Sequence, residues 1–162
     1  MTTTTTSEPA ASALSRTAKK WTPVLMAAGW TTFPSVILDR QQALGLDAID
    51  INILLHLAKH WWEADNPPYP SKRTIADCMG IDRRTVQRRI AAMEASGFIE
   101  RRARKGANGG TGTNAYVFTG LIEKAAPFAK EAVEARRERV RRKEATRRRK
   151  RPLRAVGPDE GA

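Results

Sequence analysis

The sequence predicts a mostly α domain carrying a small β hairpin and continued at its C-terminal end by a long basic helix or tail. Three observations predict it. Apolar residues recur at helical spacing between Asp47 and Gly97, interrupted twice by residues that end helices. The period becomes extended at Phe98 and again at Asn114, on either side of a loop with four glycines. Beyond Ala129 the apolar pattern gives way to arginine.

A chain of 162 residues, 41% apolar, has room for one domain and tails. Its formal net charge of +12 is unevenly spread. Residues 1–70 carry five basic and six acidic side chains, residues 71–105 ten and four, and residues 106–162 fourteen and seven. The positive field therefore belongs to the middle and the tail, and it suits a polyanionic partner. No apolar run approaches the ~20 residues that span a bilayer. The apolar stretch Trp21–Trp30 is short, is interrupted by Pro23 and lacks a small-residue cleavage pattern, so it is not read as a secretory signal. With one cysteine, Cys78, there is neither an intrachain disulfide nor zinc-finger spacing, and a reducing, cytoplasmic setting is expected.

Residues 1–20, rich in Thr, Ser, Ala and Pro, are expected to be disordered. Residues 21–128 are expected to form the domain. Its opening stretch, with Phe33, Val36, Ile37, Leu38 and Leu44, reads as a short helix or an arm laid on the core. Asp47 caps a first helix with Ile51, Leu54, Leu55, Ala58, Trp61 and Trp62 at helical spacing, ended by Asn66-Pro67-Pro68. Ser71 caps a short second helix that buries Ile75, Ala76 and Met79, and Gly80 closes it with a left-handed residue. Ile81 plugs the turn, and Asp82 caps a third helix running to Gly97. Phe98–Ala103 and Asn114–Phe118 read as two strands joined by Lys105–Gly112. A strand, a glycine-rich loop and a strand behind a helix-turn-helix make a wing. The fold expected is a winged helix-turn-helix. A helix is expected to restart at Pro127, and residues 129–162 to form a basic C-terminal helix or tail fraying into disorder, with favourable Glu138–Arg142 and Glu144–Arg148 pairs.

Two short helices joined through Gly80 cross steeply, so the second projects from the body of the domain. At about 100° per residue, Val86, Ile90 and Met93 fall on one inward face of the third helix. Arg84 and Arg88 fall almost opposite, flanked by Gln87 and Ala91, with Arg83 and Arg89 at the margins. A major groove accepts an α-helix, Arg reads guanine through two acceptors and Gln reads adenine. The small Ala91 and Ala95 permit close approach. Ser71, Lys72, Arg73 and Thr74 open the second helix, where free N–H groups and positive charge suit a phosphate. Thr85 lies on the first turn of the third helix, and Arg104 and Lys105 on the wing can reach the DNA backbone or an adjacent minor groove. The expected DNA-binding set is therefore Ser71, Lys72, Arg73, Thr74, Arg83, Arg84, Thr85, Gln87, Arg88, Arg104 and Lys105.

From about Trp30 to Phe128 the chain resembles the helix-turn-helix family found in bacterial plasmid, phage and chromosomal proteins, replication-associated ones among them. The matching parts are Pro70–Ala76, Arg84–Arg88, Gly97–Arg101, Thr113–Tyr116 and Gly120-Leu121-Ile122. The resemblance implies a winged-helix fold and binding to double-stranded DNA, with no cofactor. The Arg-rich tail lies outside it.

Other constellations are weaker. His56 and His60 lie four apart but lack an evident third metal ligand. Cys78 is expected to pack as a small apolar residue, and Trp61 and Trp62 to close the core. The glycine-rich loop lacks the Gly-Lys-Ser/Thr ending of a phosphate-binding loop. No arrangement of nucleophile, base or paired carboxylates suggests an enzyme. The reading is a cytoplasmic, sequence-specific regulator of transcription, acting as a homodimer. The alternatives are a plasmid or phage replication initiator and a nonspecific nucleic-acid-binding protein. Residues 136–151, with eleven basic and two acidic side chains and only Val140 as a bulky apolar one, are expected to neutralise phosphates without reading bases.

Overall fold

The computed structural model describes residues 16–106, 109–110 and 112–149. The expectation of disorder over residues 1–20 therefore falls largely outside the described residues, as does the tail beyond Arg149. Residues 16–21, where the described chain begins, are helical, which corrects that expectation for residues 16–20.

A short helix, α1 (Pro23–Ala28), comes first, and two more, α2 (Ser35–Asp39) and α3 (Gln41–Leu44), replace the single helix or arm expected between Trp30 and Leu46. Helix α1 buries none of its residues, whereas α2 buries Ile37. The body of the domain follows as α4 (Ala48–Ala58), α5 (Lys72–Met79) and α6 (Arg83–Ala95). Strands β1 (Glu100–Arg102) and β2 (Ala115–Val117) pair antiparallel, with Arg101 opposite Tyr116. The chain then enters α7 (Thr119–Arg149).

The caps that the sequence announces are all made. Asp47 Oδ1 accepts hydrogen bonds from Ile49 N and Asp50 N, while Asp50 Oδ2 accepts one from Asp47 N, a reciprocal capping box. Ser71 Oγ accepts from Thr74 N at 2.9 Å, and Asp82 Oδ1 from Arg84 N at 2.6 Å. Gly80 takes φ 65° and turns the chain from α5 into α6. Ile53, Leu54 and Leu57 of α4 meet Ile75 of α5, Val86 and Ile90 of α6 and Tyr116 of β2 in the fully buried centre.

Several expectations need correction. Helix α4 stops at Ala58 rather than running through Trp62. The chain leaves the helix there so that Trp61 can stack on Phe118, ring centroids 5.2 Å apart and planes 14° from parallel, which leaves Trp62 exposed. Cys78 is exposed, because α5 buries only the stripe around Ile75 and Ala76, and Cys78 lies off it. The strands are three residues each, shorter than the runs that predicted them. Helix α7 starts at Thr119 and passes through Pro127 without a break. Burial of Leu121 and Ala125 holds its first turns, and Pro127 sits exposed on the outer face.

Candidate DNA-binding surface

Helix α6 presents two unlike faces. Val86, Ile90 and Met93 are buried, while Arg83, Arg84, Gln87, Arg88, Ala91 and Ala95 are exposed and Thr85 is half-buried. The division follows from the 100° step of a helix whose apolar residues recur at intervals of three and four.

The basic residues of the domain divide into those already paired and those left outward. Arg89 binds Asp47 Oδ2 at 2.6 Å and lies 3.6 Å from Asp50 Oδ2, tying α6 to the start of α4. Backbone N–H donation from Asp50 is the main reason the Asp47 carboxyl titrates below its usual range, whereas burial pushes Asp50 up. Arg101 donates its Nε–H to Glu94 Oε2 at 2.6 Å and its backbone N–H to Oε1 at 3.1 Å, joining β1 to the last turn of α6. Arg102 is paired with Glu100, and Arg73 lies 3.8 Å from Asp77. Among the described residues, Arg83, Arg84 and Arg88 make no ion pair. Within α6, the arginines without acidic partners thus fall on its outward face, whereas Arg89, toward the body of the domain, is paired.

The wing is held beside this helix by contacts that the sequence did not announce. Tyr116 donates its backbone N–H to Pro68 O at 2.8 Å, so the segment before α5 runs along the free edge of β2. Thr113 Oγ1 donates to Tyr69 O at 2.9 Å. The Arg104 guanidinium stacks over the Tyr69 ring, 3.6 Å from its centroid. Tyr69 is missing from the expected set because its partner lies 35 residues away. Arg104 and Lys105 are both exposed.

Between the start of α5 and the returning limb of the wing lies a cleft of about 250 Å³, lined by Ser71, Lys72, Arg73, Arg83, Thr113 and Asn114 among others. Lys72 titrates below the ordinary lysine range, first because it is partly buried and then because Arg101 and Arg83 are near. Crowded cations beside the N–H groups of the first turn of α5 give the cleft the chemistry of an oxyanion or phosphate seat. Ser71 and Thr74 are hydrogen-bonded to one another through their hydroxyls at 2.8 Å, so both side chains help form the cap.

The expected residues therefore form three neighbouring groups: the first turn of α5, the outer face of α6 and the base of the wing. Among the described residues no three His, Cys, Asp or Glu side chains are grouped as metal ligands would be, and no helix is long and apolar enough to cross a membrane.

The family match and the first of the structural neighbours below agree with this architecture. Residues 44–99 match the family described as "Helix-turn-helix domain". The N-terminal domain of the DnaD protein from Geobacillus kaustophilus HTA426 superposes with a TM-score of 0.51 at 18% identity, over 76% of this chain and 96% of that one. A transcriptional regulator, PA3341, aligns at 19% identity over 87% of this chain and 98% of its own, with a TM-score of 0.38. A search of the curated proteins finds no match. Residues 44–99 thus match a helix-turn-helix family, and the β1–β2 hairpin that follows gives the described residues the arrangement of a winged helix.

Proposed function

We propose that this chain is a sequence-specific double-stranded DNA-binding protein that regulates transcription in the cytoplasm. The observation that carries the reading is the sorting of arginines. On α6 and β1, Arg89, Arg101 and Arg102 are neutralised by Asp47, Glu94 and Glu100, while Arg83, Arg84 and Arg88 project without an ion pair from a helix narrow enough for a major groove. In this arrangement Arg84, Gln87 and Arg88 read base edges, with Arg83 and Thr85 at the flank. Ser71, Lys72, Arg73 and Thr74 hold a phosphate, and Arg104 and Lys105 contact the backbone.

The same reading makes the protein a homodimer on a palindromic or repeated site. Its support is the apolar surface near the N-terminus, where Trp21, Val24, Leu25, Trp30 and Trp62 are 44–78% exposed. Together they leave on the order of 600 Å² of apolar surface per protomer, near the lower end of what a stable dimer buries. Light scattering that returns the mass of one chain at micromolar concentration rejects the dimer.

Selection from a random duplex pool tests the main reading. A defined site should emerge and outcompete scrambled duplex by about 10³-fold or more at physiological salt. Equal affinity for every sequence would instead make this a nonspecific binder. A replication initiator would use the same surface, and a genome-wide binding profile separates the two, with peaks at promoters or at a single origin. The reading assigns binding and no catalysis. Cleavage of duplex DNA in the presence of Mg²⁺ would contradict it.

A further inference from the structure

Helix α7 is mounted on the domain as a rigid arm. Its first turn is pinned where Leu121 donates its backbone N–H to Phe98 O at 2.8 Å. Leu121 and Ala125 are buried, the Arg40 guanidinium lies 5.8 Å from the centroid of the Phe128 ring, and Arg40 pairs with Glu131 at 3.4 Å. Beyond that last contact every residue to Arg149 is exposed, over about 27 Å of helix. No glycine interrupts it after Gly120.

The charge on this arm has an unusual distribution. Residues 136–149 hold nine basic and two acidic side chains. At 100° per residue, Arg136, Lys143 and Arg147 lie on one side, Arg137, Arg141 and Arg148 on a second, Arg142 and Arg149 on a third, and Arg139 between the third and the first. Cations therefore surround the helix. Its bulky apolar residues, Val133 and Val140, are about half exposed. Val133 and Val140 are seven apart, but the positions that would complete a coiled-coil seam with them, Arg136, Lys143 and Arg147, are basic. A membrane surface needs an apolar face that the arm lacks. A flat acidic protein surface would engage only about half of its charge.

A partner that uses all of it must present negative charge on both sides of a rod about 10–12 Å wide. The major groove of B-form DNA, about 12 Å wide and walled by two phosphate ridges, meets that requirement. We propose that residues 136–149 of α7 form a second duplex-binding element, seated between the phosphate walls of a major-groove segment other than the one α6 occupies, without reading bases. The proposal rests on the assignment of α6 as the base-reading helix.

A full-length variant with Arg136, Arg137, Arg139, Arg141, Arg142 and Lys143 changed to Gln tests it, since Gln keeps helix propensity. Circular dichroism checks that the helix persists. On a duplex carrying the selected site, the slope of log affinity against log salt should fall by about 3–5 units, while the preference over scrambled duplex stays unchanged. Phosphate-ethylation interference should lose positions on both strands outside the α6 site. On double-stranded RNA, whose deep, narrow major groove does not admit a helix, the variant and the parent should bind alike. An unchanged salt slope on DNA overturns the proposal, and so does an equal loss on RNA, which would make the arm a general polyanion contact. Failure of the underlying reading is distinguishable: Arg84→Ala with Arg88→Ala would then leave the sequence preference intact, whatever the arm does.

Discussion

Arg88 and Arg89 are adjacent on α6 and meet opposite surroundings. Arg88 projects outward with no acid nearby, whereas Arg89 lies against Asp47 and the buried Asp50. Their alanine variants should therefore separate binding from stability. Arg88→Ala should cost about 1–3 kcal/mol on the preferred site and flatten selectivity at one or two base pairs, with the unfolding midpoint unmoved. Uniform weakening on every sequence would make Arg88 a phosphate contact instead. Arg89→Ala should leave selectivity alone and lower folding stability by about 1–3 kcal/mol, because it removes the cation that faces Asp47 and the buried Asp50 carboxylate; urea titration measures it. Gly120 offers a third test at this scale. A Cβ there would lie 1.9 Å from the Gly97 carbonyl oxygen, so Gly120→Ala must force the start of α7 away from the end of α6. A loss of about 1–3 kcal/mol is expected, whereas Gly110→Ala, with open space around it, should be near neutral.

At the scale of elements, the wing is tied to the rest of the domain by side chains, and two of these ties can be tested separately. One is Glu94 with Arg101, whose hydrogen bond keeps the Glu94 carboxyl below the usual range. A depressed folded value contributes stability that is fully present above the unfolded value of about 4.3 and is lost as pH falls through the folded one. Glu94→Gln should therefore reduce stability at pH 7 and remove that part of the acid-side slope. It should also speed amide exchange at Arg101. Identical acid limbs for parent and variant would show that the wing does not depend on this pair. The other tie is Arg104 on Tyr69. Replacing Arg104 and Lys105 with Ala should weaken binding to all duplexes and lower the salt slope by roughly one to two units; an unchanged slope would mean that the wing points away from DNA. These elements were legible in the sequence to different degrees. Helices α5 and α6 were plain because Ser71, Gly80 and Asp82 punctuate a clean apolar period. The end of α4 was not, because Trp61 continues the helical spacing and only its stacking on Phe118, 57 residues later, draws it out of the helix. The outward face of α6 followed from periodicity alone, but the support that Tyr69 gives the wing needed the fold to bring residues 69 and 104 together.

At the scale of the whole molecule, two helices with different demands share one mount. The end of α6 and the start of α7 are locked where Gly97 and Gly120 meet and where Leu121 bonds to Phe98. Their relative placement is therefore a property of the folded domain rather than of a linker. Rotation about the helix axis matters differently for each. Within α6, one inserted residue would turn everything after it by about 100° and carry Arg88 off its outward bearing. Within the exposed part of α7 the same insertion turns a ring of cations into another ring of cations and advances it by about 1.5 Å. The arm is indifferent to its own azimuth and sensitive only to its reach. Chain-length variation that would disrupt the outward face of α6 becomes in the arm a fine adjustment of its reach, in steps smaller than one base pair on a duplex bound as proposed.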